Sequence, residues 1–209
     1  MKSSAYDFAR AIEGRVETLS SEQYHERPRS AKRLVEELYP LSRLALAYKQ
    51  PGLTVEIEAN EDSRRADGQL WFTGFLNKTF EVQVTFAGYE RADALRSSLL
   101  VQQGFAPGAG PIERDRKTGN ILATMQAEDV DAPIGRLGES ISERVRAKSA
   151  KPYARGTELL VAFEDMRLRG RGWWNMLYLA VDNAGGIDRG PFAKVFLFNS
   201  CSNELQQAA

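Results

Sequence analysis

The first fifty residues of the chain carry apolar side chains at helical spacing. Between residues 3 and 20 these side chains recur every three or four positions, and Ser3 or Ser4 can cap the start of the helix. A longer helix is predicted from Ser30, with a kink at Pro40 and an end at Pro51-Gly52. The apolar positions are Phe8, Ala11, Ile12, Val16 and Leu19 in the first helix, and Leu34, Leu38, Leu41 and Ala45 in the second.

Beyond Gly52 the apolar period changes to two, which predicts three successive strands. The first runs from Leu53 to Glu58, and the second follows Asp67-Gly68. The third is the clearest, because every second residue from Phe80 to Phe86 is apolar and the residues between them are polar. Short polar turns separate the three strands, so we expect neighbouring strands to pair as hairpins.

In the second half of the chain, some segments have apolar residues at helical spacing and others at strand spacing. Helical spacing predicts one helix over residues 89–103, ended by Gly104, and another that carries Ile134, Leu137, Ile141 and Val145. A Gly/Pro-rich loop and a short strand over residues 121–125 lie between these helices. Three strand-like apolar runs follow, at residues 158–163, 174–181 and 192–198.

This order of elements predicts an α/β (α+β) fold, in which a central mixed β-sheet is flanked by helices. Residues 1–29 are predicted to form an N-terminal helical extension, and residues 30–203 the α/β domain itself. Residues 204–209 are expected to be a frayed tail.

The composition of the chain limits the kinds of functional site that it can form. With 28 basic and 28 acidic residues, the net charge favours no class of partner. One Cys, Cys201, and one His, His25, exclude an internal disulfide and a zinc site built from Cys and His. His25 lies in a polar run with no apolar pocket in view, which argues against a hydrolytic triad. No stretch has the length and apolarity of a membrane span or signal peptide, so we expect a cytoplasmic protein without a membrane partner.

The polar faces of the second and third strands carry candidate metal ligands. Asp67 opens the second strand, and in a hairpin it should lie within a residue or two of Gln83. Glu81 shares a face with Gln83, because residues i and i+2 of a strand do so. Converging carboxylates of Asp67 and Glu81, together with a backbone carbonyl, suit Mg²⁺ with phosphate oxygens completing its shell.

Residues 30–103, with Asp67-Gly68 followed by Glu81-Val82-Gln83, resemble the core of the PD-(D/E)XK nuclease superfamily. That resemblance implies a restriction-endonuclease-like fold and an endonuclease that hydrolyses DNA phosphodiester bonds with water activated by Mg²⁺, or alternatively by Mn²⁺. It makes Asp67 and Glu81 the catalytic metal ligands, with the backbone of Val82 as a third, and it places Gln83 where the family usually has Lys. An acidic residue of the preceding helix often joins such sites, which points to Glu37 or Glu36. Glu58, at the end of the first strand, is a further candidate.

Two departures from the family pattern concern the positions around these acids. Ala66 stands where the family has Pro, a position that is not a ligand. Gln83 can form hydrogen bonds but, unlike Lys, cannot offset developing negative charge.

Basic residues supply candidate contacts to DNA phosphates. Arg144, Lys148 and Lys151 fall on one face of the predicted helix, and Arg64 and Arg65 precede Asp67. Arg167, Arg169 and Arg171 project to one side if that segment is extended. Trp173, Trp174 and Tyr178 begin a predicted strand, where aromatic residues usually belong to the core.

Two other functions stay open. The chain could be a catalytically inactive nuclease-like domain that binds nucleic acid or protein, with Gln83 marking the lost activity. A carboxylate-pair sugar hydrolase would need an aromatic platform beside its acids, and none is evident. The sequence also leaves open whether the chain forms a homodimer.

Overall fold

A computed structural model describes residues 2–60, 66–88, 91–129, 131–166 and 170–209. Its helices are α1 (Ala5–Glu17), α2 (Ser21–Glu26), α3 (Arg29–Arg33), α4 (Tyr39–Ala47), α5 (Arg91–Gln103), α6 (Ala132–Ser149) and α7 (Arg171–Asn183), with a π-helical turn at Leu34–Leu38. Its strands are β1 (Ser3–Ser4), β2 (Leu53–Ala59), β3 (Gly68–Gly74), β4 (Lys78–Phe86), β5 (Ile112–Arg114), β6 (Ile121–Ala123), β7 (Glu158–Phe163), β8 (Lys194–Asn199) and β9 (Glu204–Gln207).

Seven of these strands form one mixed sheet in the order β1-β2-β3-β4-β7-β8-β9. The segment β2-β3-β4 is an antiparallel meander, as the hairpin prediction required. From β4 onward the strands run parallel through β7 to β8, and helices cover the connections between them. The predicted α/β class with a central mixed sheet is therefore confirmed. The strands β5 and β6 form a separate hairpin.

Each face of the sheet packs against its own helices. Val82 and Val84 of β4 point to the face covered by α4, where they meet Leu41 and Leu44. The opposite face is covered by α6 and α7, whose apolar side chains pack on β7 and β8. All six residues of β7 are buried, as expected for a strand with helices on both faces.

The predicted kink at Pro40 takes the form of a π-helical turn directly before it. Pro40 has no N–H to donate to the carbonyl of Glu36, so an α-helical ladder cannot continue there. The N–H of Tyr39 instead binds the carbonyl oxygen of Leu34, five residues back. This turn sets the directions of Glu36 and Glu37, and π-helical turns of this kind often occur at functional sites.

Two predicted elements are wrong. Residues 174–181 belong to helix α7 and not to a strand, because Trp174, Leu177 and Val181 fall on one buried helical face. Trp173 and Tyr178 are likewise helical. Residues 204–209 are not a frayed tail, since β9 pairs with β8 and the N–H of Ala208 binds the carbonyl of Val195 at 2.8 Å.

Candidate functional site

Asp67 lies at the entry to β3, directly across from Gln83 of β4. Gly68 pairs with Val82, so the preceding residue, Asp67, faces Gln83 as the hairpin parity predicts. The Oδ2 atom of Asp67 accepts hydrogen bonds from the N–H of Val84 at 2.7 Å and from the side-chain amide of Gln83. Gln83 also donates to the carbonyl of Val84, at 3.0 Å. Two donors thus fix the Asp67 carboxylate in one orientation.

The environment of Asp67 raises the pKa of its carboxyl above the usual value. Burial is the main cause, and it outweighs the hydrogen bond from Val84 and the positive charge of Lys148, which act in the opposite direction. The hydrogen bond from Gln83 and the charge of Arg33 favour the ionised form as well. Within the described part of the chain, Oδ1 has no hydrogen-bond partner, so this oxygen is open to a ligand.

Glu37, on the π-helical turn, faces the same place. Burial raises the pKa of its carboxyl, and the negative charge of Asp67 raises it further. Arg33 partly compensates, with its Nε 3.7 Å from Oε2 of Glu37. Arg33 also donates a 2.7 Å hydrogen bond to the carbonyl of Asn60, the residue that follows β2. The Asp67 carboxylate is therefore close enough for its charge to act on Glu37.

Glu36 points elsewhere. Its carboxylate accepts a 3.2 Å hydrogen bond from the buried Arg27 and lies 3.9 Å from Lys32. Of the two helix acids considered from the sequence, the structure therefore brings Glu37 to Asp67, and Glu36 belongs to a separate ion-pair network.

The charge of Lys148 of α6 acts on the same two carboxylates. Its side chain is half-buried, and burial lowers the pKa of its ammonium, while the charges of Asp67 and Glu37 raise it. Arg144 and Lys151, both exposed, lie close enough that their charges lower this pKa too. Of the three residues on the predicted basic face, Lys148 is the one whose charge acts on Asp67 and Glu37.

Glu81 and Glu58 are cross-strand neighbours of Gln69, which lies two residues beyond Asp67 along the chain. Gln69 of β3 pairs with Glu58 on one side and with Glu81 on the other, so the two acids flank one amide on the same face as Asp67. Val82 lies between β3 and β7, with its side chain in the core. The structure therefore brings Glu37 and Lys148 to Asp67, and it places Glu81 next to Gln83 along the strand.

Several sequence candidates remain. Arg64, Arg65, Arg167 and Arg169 lie outside the described residues, and Arg171 begins helix α7 and is not part of an extended segment. Trp174 is a core residue whose indole N–H donates to Glu204 at 2.7 Å, and Cys201 is exposed.

His25 lies in α2 beside a cavity of about 380 Å³ at the carboxyl ends of β4 and β7. The cavity is also lined by Tyr24, Arg27, Phe86 and Glu164. His25 therefore borders a pocket that its polar sequence context did not indicate.

No family model, no curated protein and no solved structure matches this chain. The site must therefore be interpreted from its own chemistry. Within the described ranges, no group of three or more His, Cys, Asp and Glu side chains could hold a metal ion, and no helix is long and apolar enough to cross a bilayer.

Lys148 and Glu37 are the members of this site whose positions the sequence left undecided. Lys148 was predicted to contact phosphate, and its spacing gave no sign that it approaches Asp67. Glu37 was one of two adjacent acids, and only the geometry of the π-helical turn distinguishes it from Glu36.

Proposed function

We propose that this chain is a metal-dependent DNA endonuclease whose centre is formed by Asp67, Glu37 and Lys148. The observation that carries the proposal is the fixed Asp67 carboxylate, which has an unbonded oxygen and lies beside a second carboxylate and a half-buried ammonium. The element order of the superfamily resemblance also supports it: a helix, the β2-β3-β4 meander, a helix, and a strand parallel to β4.

The donor set of this centre fits Mg²⁺. Proteins commonly hold this ion with only one or two carboxylates, and water and substrate phosphates complete its shell. Burial raises the pKa of both carboxyls, and the charge of Asp67 raises the pKa of Glu37 further, so a cation between them would relieve both effects. When bound, the ion would supply an activated water and neutralise charge on the phosphate. Glu81, on the same face, is the ligand predicted from the sequence.

The side chains around this pair have separable tasks. Gln83 holds Asp67 in place by hydrogen bonding, which is within the capacity of an amide. Lys148 supplies the positive charge that a Lys at position 83 would have provided, and in a half-buried site such a charge stabilises developing negative charge strongly. Arg144 and Lys151 are exposed beside it, where they can contact phosphates and position the duplex.

A calorimetric titration with Mn²⁺ tests the metal centre. We expect the wild-type protein to bind the ion and Glu37→Gln to weaken binding by at least about tenfold, the scale on which even the partners of metal ligands act. Glu81→Gln should weaken binding less, because Glu81 lies across from Gln69 and not across from Asp67. Wild-type protein that binds no Mn²⁺ would favour the inactive, DNA-binding alternative.

A substitution of Lys148 tests its place in the centre. We expect Lys148→Met to lower kcat for DNA cleavage by about 10²- to 10³-fold, because a preorganised charge next to the reacting phosphate is lost. Lys151→Met should mainly raise KM. Arg146→Met is the matched control, since Arg146 is exposed on the same helix and binds the carbonyl of Ala184 instead. Equal kcat values for the Lys148 and Arg146 variants would exclude Lys148 from the centre.

A further inference from the structure

The hairpin β5–β6 stands apart from the main sheet. We call residues 111–124 the β-arm; its two strands form three residue pairs. Arg96 of α5 ties the preceding loop down, with hydrogen bonds to the carbonyls of Pro107 at 3.2 Å and Gly110 at 2.9 Å. At Gly110, which has φ of +101°, a Cβ atom would lie 2.1 Å from the carbonyl oxygen of Thr124. The base of the β-arm is therefore held in one position by α5 and by a glycine that no other residue can replace without movement.

The tip of the β-arm is a preformed turn. Oδ1 of Asp115 accepts hydrogen bonds from the N–H groups of Lys117 at 2.6 Å and Thr118 at 3.2 Å. These bonds lower the pKa of the Asp115 carboxyl. The N–H of Asp115 binds the carbonyl of Asn120 at 2.8 Å, and the N–H of Gly119 returns to the carbonyl of Asp115 at 2.9 Å. Because the turn is already ordered, little conformational entropy remains to be lost when the tip binds a partner.

Three cations surround this turn. Arg114, Arg116 and Lys117 are all exposed, and among the described residues none of them forms a salt bridge. The Asp115 carboxylate is engaged with the backbone of the turn, and Arg114 donates to the carbonyl of Gly119 at 3.0 Å. The tip thus presents three cations, with the exposed carboxylate of Glu113 beside them, on a two-stranded ribbon.

The β-arm is attached at the end of the sheet where the candidate site lies. Val84 and Phe86 are at the carboxyl end of β4, and Val84 holds Asp67. Arg96 of α5, which holds the base of the β-arm, and Gly108 of the preceding loop line the same cavity as Phe86.

We propose that the β-arm is a DNA-contacting element, and that Arg116 and Lys117 bind phosphates of the duplex beside the candidate site. A two-stranded ribbon has the width of the major groove, and phosphate contacts of this kind set the position of the protein on DNA. The inference rests on the proposed function, since it takes the same duplex as partner. It adds a second point of contact, carried by a different element from α6.

The salt dependence of duplex binding, measured by fluorescence anisotropy, tests the β-arm. We expect the double variant Arg116→Ala/Lys117→Ala to bind more weakly and to lower the slope of log K against log salt by about 1.8, or about 0.9 for each lost phosphate contact. The wild-type advantage over the variant should therefore shrink about tenfold between about 50 and about 200 mM salt. Both side chains are exposed on the hairpin, and a thermal melt checks that the fold is kept.

The matched control is the double variant Arg10→Ala/Arg15→Ala. It removes the same charge from exposed positions of α1, which packs on the opposite face of the sheet from α6. If both double variants lower the slope equally, the proposal is overturned. If neither lowers it, the β-arm, with its exposed Leu122, faces a partner other than DNA, and the proposal is again overturned.

Binding and cleavage readouts separate this inference from the proposed function. A selective loss of affinity in the β-arm variant, with a wild-type protein that binds DNA and does not cut it, would support the β-arm and overturn the nuclease. Wild-type protein that cuts DNA, with a β-arm variant that binds as the control does, would support the nuclease and overturn the β-arm proposal. Wild-type protein that binds no duplex would overturn both.

Discussion

Asp67→Asn is expected to reduce DNA cleavage by at least about a thousandfold, the upper range for loss of one preorganised electrostatic group. Asn keeps an oxygen that can accept the hydrogen bonds of Val84 and Gln83, so the local geometry should persist. It removes the charge that would hold a divalent ion. The measurement is initial cleavage rate at neutral pH, with Asp182→Asn, at an exposed position of α7, as the control.

The same variant should unfold at the same temperature as the wild type or at a higher one. Burial raises the pKa of Asp67 above its ordinary value of 3.8, so the folded protein binds this proton more tightly than the unfolded chain does. The Asp67 carboxyl therefore favours folding most at acid pH, where it is protonated. It opposes folding as the pH rises above 3.8 and the carboxyl of the unfolded chain ionises first. At neutral pH, Asn removes this penalty. A large drop in melting temperature would mean that lost activity reports unfolding and not lost chemistry.

Arg27→Met is expected to lower the free energy of unfolding by about 3–5 kcal/mol, the scale for breaking a buried ion pair. The Arg27 side chain is only 4% exposed and is paired with Glu36 and Glu164. Tyr24 donates a 2.9 Å hydrogen bond to the same Glu164, so α2, the π-helical turn and the segment after β7 meet at this guanidinium. Removing it leaves the buried Glu36 carboxylate without its main partner.

Lys32→Met is the control for this network, because Lys32 contacts the same Glu36 but is 58% exposed. It should change the free energy of unfolding by less than about 1 kcal/mol. The double variant Arg27→Met/Glu36→Gln should recover part of the lost free energy of unfolding, since it also removes the unpaired charge of Glu36. Urea denaturation measures all three variants, and equal effects of Arg27→Met and Lys32→Met would contradict the role of burial.

The strand part of the site was predictable from sequence because strand geometry is strictly periodic. Once the turn between β3 and β4 is located, the period of two places Asp67 opposite Gln83 and on the face of Glu81. The alternation of apolar residues in β4 likewise determined which face meets α4. These relations involve only residues that are neighbours in the sequence or within one hairpin. The local alternation of apolar and polar residues predicts such relations well.

The contributions of the helices were not predictable in the same way. Whether Lys148 reaches Asp67 depends on how α6 is packed across the sheet, and spacing along the helix carries no information on that. Glu36 and Glu37 are adjacent, and the π-helical turn before Pro40 decides which of them faces the site. Helix α7 was mistaken for a strand because a short apolar run rich in aromatic residues fits either period.

Incubation of supercoiled plasmid with wild-type protein in Mg²⁺, in Ca²⁺ and with a chelator is the most direct measurement of whether the site formed by Asp67, Glu37 and Lys148 is a nuclease centre. We expect nicked and linear plasmid in Mg²⁺, little or none in Ca²⁺ or chelator, and none with Asp67→Asn in any condition. Plasmid, single-stranded and branched DNA that all stay intact in Mg²⁺ and in Mn²⁺, or cleavage that persists in Asp67→Asn, would contradict a nuclease centre at this site.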